Sequence, residues 1–159
     1  MAASDLAGFI EEVTGESHLR VEEDLGGGFV RLRTTEAERR QAQQDIRCIE
    51  DAVLELLRNS RDAGARLICI STNREGKDRN LVCIDDGEGI PRQMWEKVFE
   101  PRVTSKLDTF HADQWGVHGR GMALFSIACN TVEHQVMASG PGLGCVRRLK
   151  ADAHVLPEK

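Results

Sequence analysis

The stretch Glu55-Leu56-Leu57-Arg58-Asn59-Ser60-Arg61-Asp62-Ala63 decides how this chain is read. Upstream, Thr35 with Glu38 three residues later is a capping-box signature, and Gly64 is a stop signal. The pattern predicts one long helix from residue 35 to about 63. Each helical residue turns about 100°, so Glu55, Asn59 and Asp62 share a stripe roughly 60° wide. Ile46, Ile49, Val53, Leu56, Leu57 and Ser60 fall on the other side, nearly all apolar. The helix should therefore pack one face and present a carboxylate, an amide and a second carboxylate on the other. A solvated helix face has the same general look, but an Asn in a helix interior is weakly unfavourable. An amide oxygen and carboxylates are hard ligands suited to a hydrated Mg²⁺ that carries phosphates. A carboxylate one turn away can orient an attacking water.

Two glycine-rich segments lie downstream. Asp85-Asp86-Gly87-Glu88-Gly89-Ile90 follows the apolar run Leu81-Val82-Cys83-Ile84, which places a carboxylate at the end of a predicted strand. The glycines after it let the backbone approach a planar ligand closely, although an acidic turn after a strand is common. Gly116-Val117-His118-Gly119-Arg120-Gly121-Met122-Ala123-Leu124 is a glycine-rich entry into a helix. Backbone N–H groups and the positive helix end there suit phosphate oxygens. The spacing and late position exclude a dinucleotide fingerprint, and no G-x-x-x-x-G-K-[ST] element is present.

Composition supports a single soluble domain. The chain has 159 residues, 40% hydrophobic and 30% charged, too apolar for a disordered chain. No apolar run approaches the roughly 18 residues of a spanning helix, and the opening residues lack the basic start of a secretory signal. A net charge of -5 argues against a nucleic-acid partner, and 4% aromatic residues with no Tyr argue against stacked-base binding. Cys48, Cys69, Cys83, Cys129 and Cys145 contain no C-x-x-C pair, and four lie in apolar runs. They read as small buried hydrophobes in a reduced, cytoplasmic setting.

The remaining pattern predicts a short helix over 4–13 and two strands within 18–33 around the Gly26-Gly27-Gly28 turn. It also predicts strands 66–72 and 80–85 joined by a polar loop over 73–79, and a short helix from Pro91. Residues 101–118 read as a loop, followed by a helix from about 119 to 130, strands 131–138 and 145–150, and a short polar tail. The division expected is an N-terminal helix region 1–17, a domain 18–151 and a tail 152–159.

Taken in this order, the three segments resemble the ATP-binding domain of the gyrase, heat-shock chaperone, histidine kinase and MutL (GHKL) superfamily. The stretch from Glu55 to Ala65 is similar to its N-box, Asp85 to Ile90 to its first glycine box, and Gly116 to Leu124 to its second. Phe99-Glu100-Pro101-Arg102-Val103-Thr104-Ser105-Lys106 is similar to an element of sensor histidine kinases, while Asp62-Ala63-Gly64-Ala65 looks like MutL proteins and the chaperones. Asp86 stands where the superfamily usually has Asn.

The resemblance implies a Bergerat fold, a two-layer α/β sandwich with a mixed, mostly antiparallel sheet and helices on one face. It implies ATP and Mg²⁺ as cofactors, with Asn59 as metal ligand and Glu55 as the water-activating base. Asp85 would accept from the adenine amino group, and Gly87, Gly89 and Ile90 would lie along the nucleotide. Gly119, Arg120, Gly121 and Met122 would cradle the phosphates. Residues 101–118 would form a lid from which Lys106 approaches phosphate, and Asp62 would complete the nucleotide contacts. The activity implied is slow Mg²⁺-dependent ATP hydrolysis driving a conformational cycle through a partner protein or a further output domain. A protein kinase domain of the histidine kinase type and a nucleotide-gated interaction module are the alternatives.

Overall fold

A computed structural model describes residues 21–105 and 122–159. The chain opens with β1 (Val21–Gly26) and β2 (Phe29–Leu32), followed by α1 (Glu36–Gln44) and α2 (Ile49–Asp62). A hairpin, β3 (Ile68–Glu75) and β4 (Asp78–Asp85), comes next. Two 3-10 turns, Arg92–Met94 and Lys97–Phe99, lead into β5 (Val103–Ser105). After α3 (Ala123–Asn130) come β6 (Glu133–Ser139) and β7 (Cys145–Asp152). The expected helix over 4–13, the strand before Val21 and most of the expected lid lie outside the described residues.

Four strands form a sheet in the order β3-β4-β7-β6, and β1-β2-β5 form a second sheet. Every described pair is antiparallel. Alternation along β4 and β7 turns Leu81, Cys83, Leu149 and Ala151 inward, where they meet Ala52 and Leu56 of α2 and Leu124 and Ile127 of α3. Ile84 and Met137 remain exposed. The result is the α/β layering of helices over an antiparallel sheet, with the strands divided between two sheets. Residues 103–105, expected as loop, form β5 and extend the smaller sheet by pairing with β2.

The expected long helix is two helices. The capping box at Thr35 and Glu38 is present, with both reciprocal hydrogen bonds formed. The break falls at residues 45–48. Asp51 accepts from the Arg47 amide at 3.0 Å, and the Ile49 amide donates to the carbonyl of Pro157 at 3.0 Å. Ile46 and Cys48 are both buried. A local carboxylate and one tertiary carbonyl thus capture amides that a continuous helix would use internally.

Three further expectations change. The 73–79 loop is mostly strand, because the ladder runs to Glu75↔Asp78 and leaves Gly76-Lys77 as the turn. Gly76 has φ +61°, as a two-residue hairpin with glycine in its first position requires. The helix from Pro91 is replaced by two 3-10 turns, which bury Met94, Val98 and Phe99. The polar tail is part of the core: β7 reaches Asp152, and Leu156 is 2% exposed. Of the five free cysteines, Cys48, Cys83 and Cys145 are buried, whereas Cys69 and Cys129 are exposed. Among the described residues no helix is long and apolar enough to cross a membrane.

Candidate functional site

The site is assembled where α2 ends against the C-terminal end of β4. Gly64, with φ +73°, terminates α2. Its amide donates to Arg61 O at 2.9 Å, and the Ala65 amide donates to Ser60 O at 3.1 Å. That pair of bonds is a Schellman motif. It directs the Ala63 carbonyl to accept from the Glu88 amide at 2.9 Å, fastening the first glycine box to the helix end.

Asp85 is the last residue of β4 and is buried. Its Oδ1 accepts from the Gly87 amide at 3.0 Å. Its Oδ2 accepts from the Ser60 hydroxyl at 2.7 Å and from Arg147 Nη2 at 2.6 Å. Arg147 Nη1 donates to Asn59 Oδ1, and Nη2 also donates to Ser60 Oγ. The structure thus links the amide of the N-box and the carboxylate of the glycine box through a buried guanidinium. The sequence reading missed Arg147. The signal was the alternation Cys145, Arg147, Leu149, Ala151, whose inward members are all buried.

The glycines have reasons within the protein itself. A Cβ on Gly87 would lie 2.8 Å from Ala63 O. On Gly89, at φ +78°, it would lie 1.9 Å from Gly140 O. On Gly144, at φ +72°, it would lie 2.1 Å from Asp85 O. The box therefore sits between the end of α2 and the β6–β7 turn, and no side chain fits there. Ile90 is held by its amide, which donates to Ser139 Oγ at 2.7 Å. Asp86, the departure from the usual Asn, accepts from the Arg66 and Leu67 amides at 2.8 Å each. These bonds, Leu67 first, hold its carboxyl below the ordinary carboxylate range. Burial pushes the Cys145 thiol up, and Arg147 opposes that shift.

Glu55, one turn before Asn59, is partly exposed and paired with Arg58 at 2.5 Å. Asp62 is paired with Arg61 at 3.0 Å. Met122 stands at the start of α3, where its carbonyl accepts from the Ser126 amide at 2.8 Å. Lys106, Gly119, Arg120 and Gly121 lie outside the described residues. Among the described residues no group of three or more His, Cys, Asp or Glu side chains forms a metal cluster. A phosphate-borne Mg²⁺ needs only one or two protein oxygens, and the donor set fits that smaller demand. Asn59 Oδ1 keeps a second acceptor position beside its bond to Arg147, and the Glu55 carboxylate is partly exposed.

The family model described as histidine kinase-, DNA gyrase B- and HSP90-like ATPase matches residues 46–139, more than half of the 159 residues. The chain is 43% identical over 82 residues to the DNA mismatch repair protein MutL of Thermus thermophilus, covering 50% of this chain and 14% of that protein. It is 40% identical over 101 residues to MutL of Leptospira biflexa, covering 62% of this chain and 16% of that one. The chain thus spans about one seventh of the length of these relatives. Among solved structures, the mycobacterial sensor histidine kinase MprB aligns with a TM-score of 0.43 at 16% identity, covering 94% of this chain and 93% of that one. The catalytic domain of histidine kinase ThkA aligns with a TM-score of 0.44 at 16% identity, covering 94% and 91%. The motifs that meet at Asp85 and Asn59 lie within the stretch matched by the family model, and the chain belongs to the family of histidine kinase-, DNA gyrase B- and HSP90-like ATPases, the GHKL superfamily.

Proposed function

We propose that this domain binds ATP with Mg²⁺ and hydrolyses it slowly, and that the bound nucleotide drives a conformational change in a partner protein or a further output domain. The observation that carries the reading is the acceptor geometry of Asp85. Three donors occupy its carboxylate, two on Oδ2 and one on Oδ1, which leaves one acceptor position on Oδ1. A single remaining acceptor at the end of a strand suits the exocyclic amine of adenine. Asn59, linked to the same cluster, would meet the phosphate-bound ion, which would neutralise charge on the phosphates. Asp62 and Ile90 would border the nucleotide, and Met122 would open the helix that receives the phosphates. Lys106, Gly119, Arg120 and Gly121 complete the proposed phosphate contacts from sequence alone. A cytoplasmic setting accords with five free thiols.

Glu55 is the proposed base, and its ion pair with Arg58 bears directly on that role. The pair engages Oε1, and Oε2 is the oxygen that would orient the water. The same ion pair favours a second reading, a nucleotide-gated interaction module that does not hydrolyse. Phosphate release by the purified protein, with and without Mg²⁺ and with Glu55→Ala as control, separates the two. Mg²⁺-dependent release that Glu55→Ala abolishes, with ATP binding retained, supports hydrolysis. ATP binding with no release by the wild type supports the module. Release that Glu55→Ala leaves intact refutes the base assignment. Transfer of label from ATP to a partner protein would identify a kinase instead.

A further inference from the structure

Arg147 is a buried cation that the proposed reaction does not use. It points inward from β7 at 1% exposure, in a row whose other members are Cys145, Leu149 and Ala151. An apolar side chain would pack there without a charge to compensate. The arginine is instead present with its buried Nε lacking a hydrogen-bond partner among the described residues. Such an orphan donor is unfavourable, so the value of the guanidinium lies in its two terminal nitrogens. Nη2 donates to Asp85 Oδ2 at 2.6 Å, and Nη1 donates to Asn59 Oδ1. One rigid, planar fork therefore sets the orientation of two side chains carried by different elements, β4 and α2.

We propose that Arg147 is a positioning residue for base selection: it holds Asp85 Oδ2 inward so that only Oδ1 faces the base, and it ties that orientation to Asn59. The inference rests on the nucleotide-binding reading above. A fixed carboxylate oxygen accepts from the exocyclic amine of adenine and repels the carbonyl oxygen that guanine carries at the same position. If the fork is lost, the carboxylate is held only by the Ser60 hydroxyl and the Gly87 amide, and the discrimination weakens. Because Asn59 holds the other end of the fork, its removal also loosens Asp85, although Asn59 bonds Arg147 and not the carboxylate.

The test is calorimetric titration of the wild type, Arg147→Lys and Asn59→Ala with ATP and with GTP, alongside the melting temperature of each protein without nucleotide. Lysine keeps the charge but cannot span both acceptors. Arg147→Lys is expected to lower the ATP-over-GTP affinity ratio at least about tenfold, on the order of one charge-assisted hydrogen bond. Asn59→Ala is expected to lower the ratio about threefold or more, as for a weaker, indirect loss. A side chain that only stabilised the fold would lower the melting temperature and weaken both nucleotides by the same factor. An Asn59 that only met phosphates would likewise weaken both equally. An unchanged ratio in either folded variant overturns the inference. If Arg147→Lys does not fold, Asn59→Ala, on a partly exposed helix face, decides alone. A wild type that binds neither nucleotide overturns the nucleotide reading and this inference with it.

Discussion

The guanidinium of Arg147 on β7 donates to the carboxylate of Asp85 on β4 at 2.6 Å, with the two side chains 1% and 2% exposed. The pair is closed by Ser60 from α2, so the sheet and the helix that covers it meet through a buried polar cluster. A low-dielectric setting makes such a cluster costly when it is incomplete.

Removing one partner leaves the other charge buried without compensation. Asp85→Ala is therefore expected to lower unfolding stability by about 3–5 kcal/mol, measured by urea denaturation without nucleotide. Asp85→Asn keeps the shape and an acceptor, and should lose less stability. It should nonetheless weaken ATP binding strongly, because the amide can present a donor to the adenine amine. Unchanged ATP affinity in Asp85→Asn would refute the base contact.

Gly89→Ala is expected to destabilise the protein by at least about 2 kcal/mol with no ligand present. The added Cβ would meet the Gly140 carbonyl at 1.9 Å, and φ +78° is unfavourable for alanine. If the glycine served only to admit a nucleotide, stability without nucleotide would be unchanged and only affinity would fall. Thermal melts of the two proteins without ligand distinguish these cases.

Asp86 gives a pH signature. Its carboxyl is held below the ordinary carboxylate range by the Leu67 and Arg66 amides, so its contribution to stability is fully present above about pH 5. That contribution is lost as pH falls through the lowered value. Asp86→Asn preserves an oxygen that accepts both amides but carries no such proton linkage. The stability difference between wild type and Asp86→Asn should therefore change as pH falls from about 5 to below 3.8, and stay constant from pH 5 to 7. A difference that is flat through the acid range would show that the two amide bonds do not stabilise the ionised form.

Leu156→Ala tests whether the tail belongs to the core. Leu156 is 2% exposed and packs with the main hydrophobic cluster. The truncation is expected to cost about 2–5 kcal/mol. Because Pro157 accepts from the Ile49 amide, protection of that amide from hydrogen exchange should fall at the same time. A loss below about 0.5 kcal/mol, the usual range for exposed positions, would mean the tail is not docked.

Much of the fold was legible because several signals are local. The Thr35–Glu38 capping box, the Gly64 stop and the alternation of β4 each depend on neighbours within a few residues. The N-box stripe and the glycine box were legible as patterns for the same reason. The break at 45–48 was not legible, since it depends on Pro157, over a hundred residues away. Arg147 was legible only as an inward member of the β7 alternation, and its partners on β4 and α2 were not.

The sequence by itself determined the family, the order of its motifs and the side chains at the end of α2 and β4, because helix period, strand alternation and glycine spacing are properties of short segments. Only the tertiary structure decided what those side chains touch. Register across β4 and β7 sets Arg147 opposite Cys83, two residues before Asp85. There its guanidinium reaches both Asp85 and Asn59, a pairing that depends on strand register and helix packing rather than on any local pattern. The close approach of Gly89 to Gly140 has the same origin: a backbone contact across about fifty residues leaves no mark in the local sequence beyond the glycine itself.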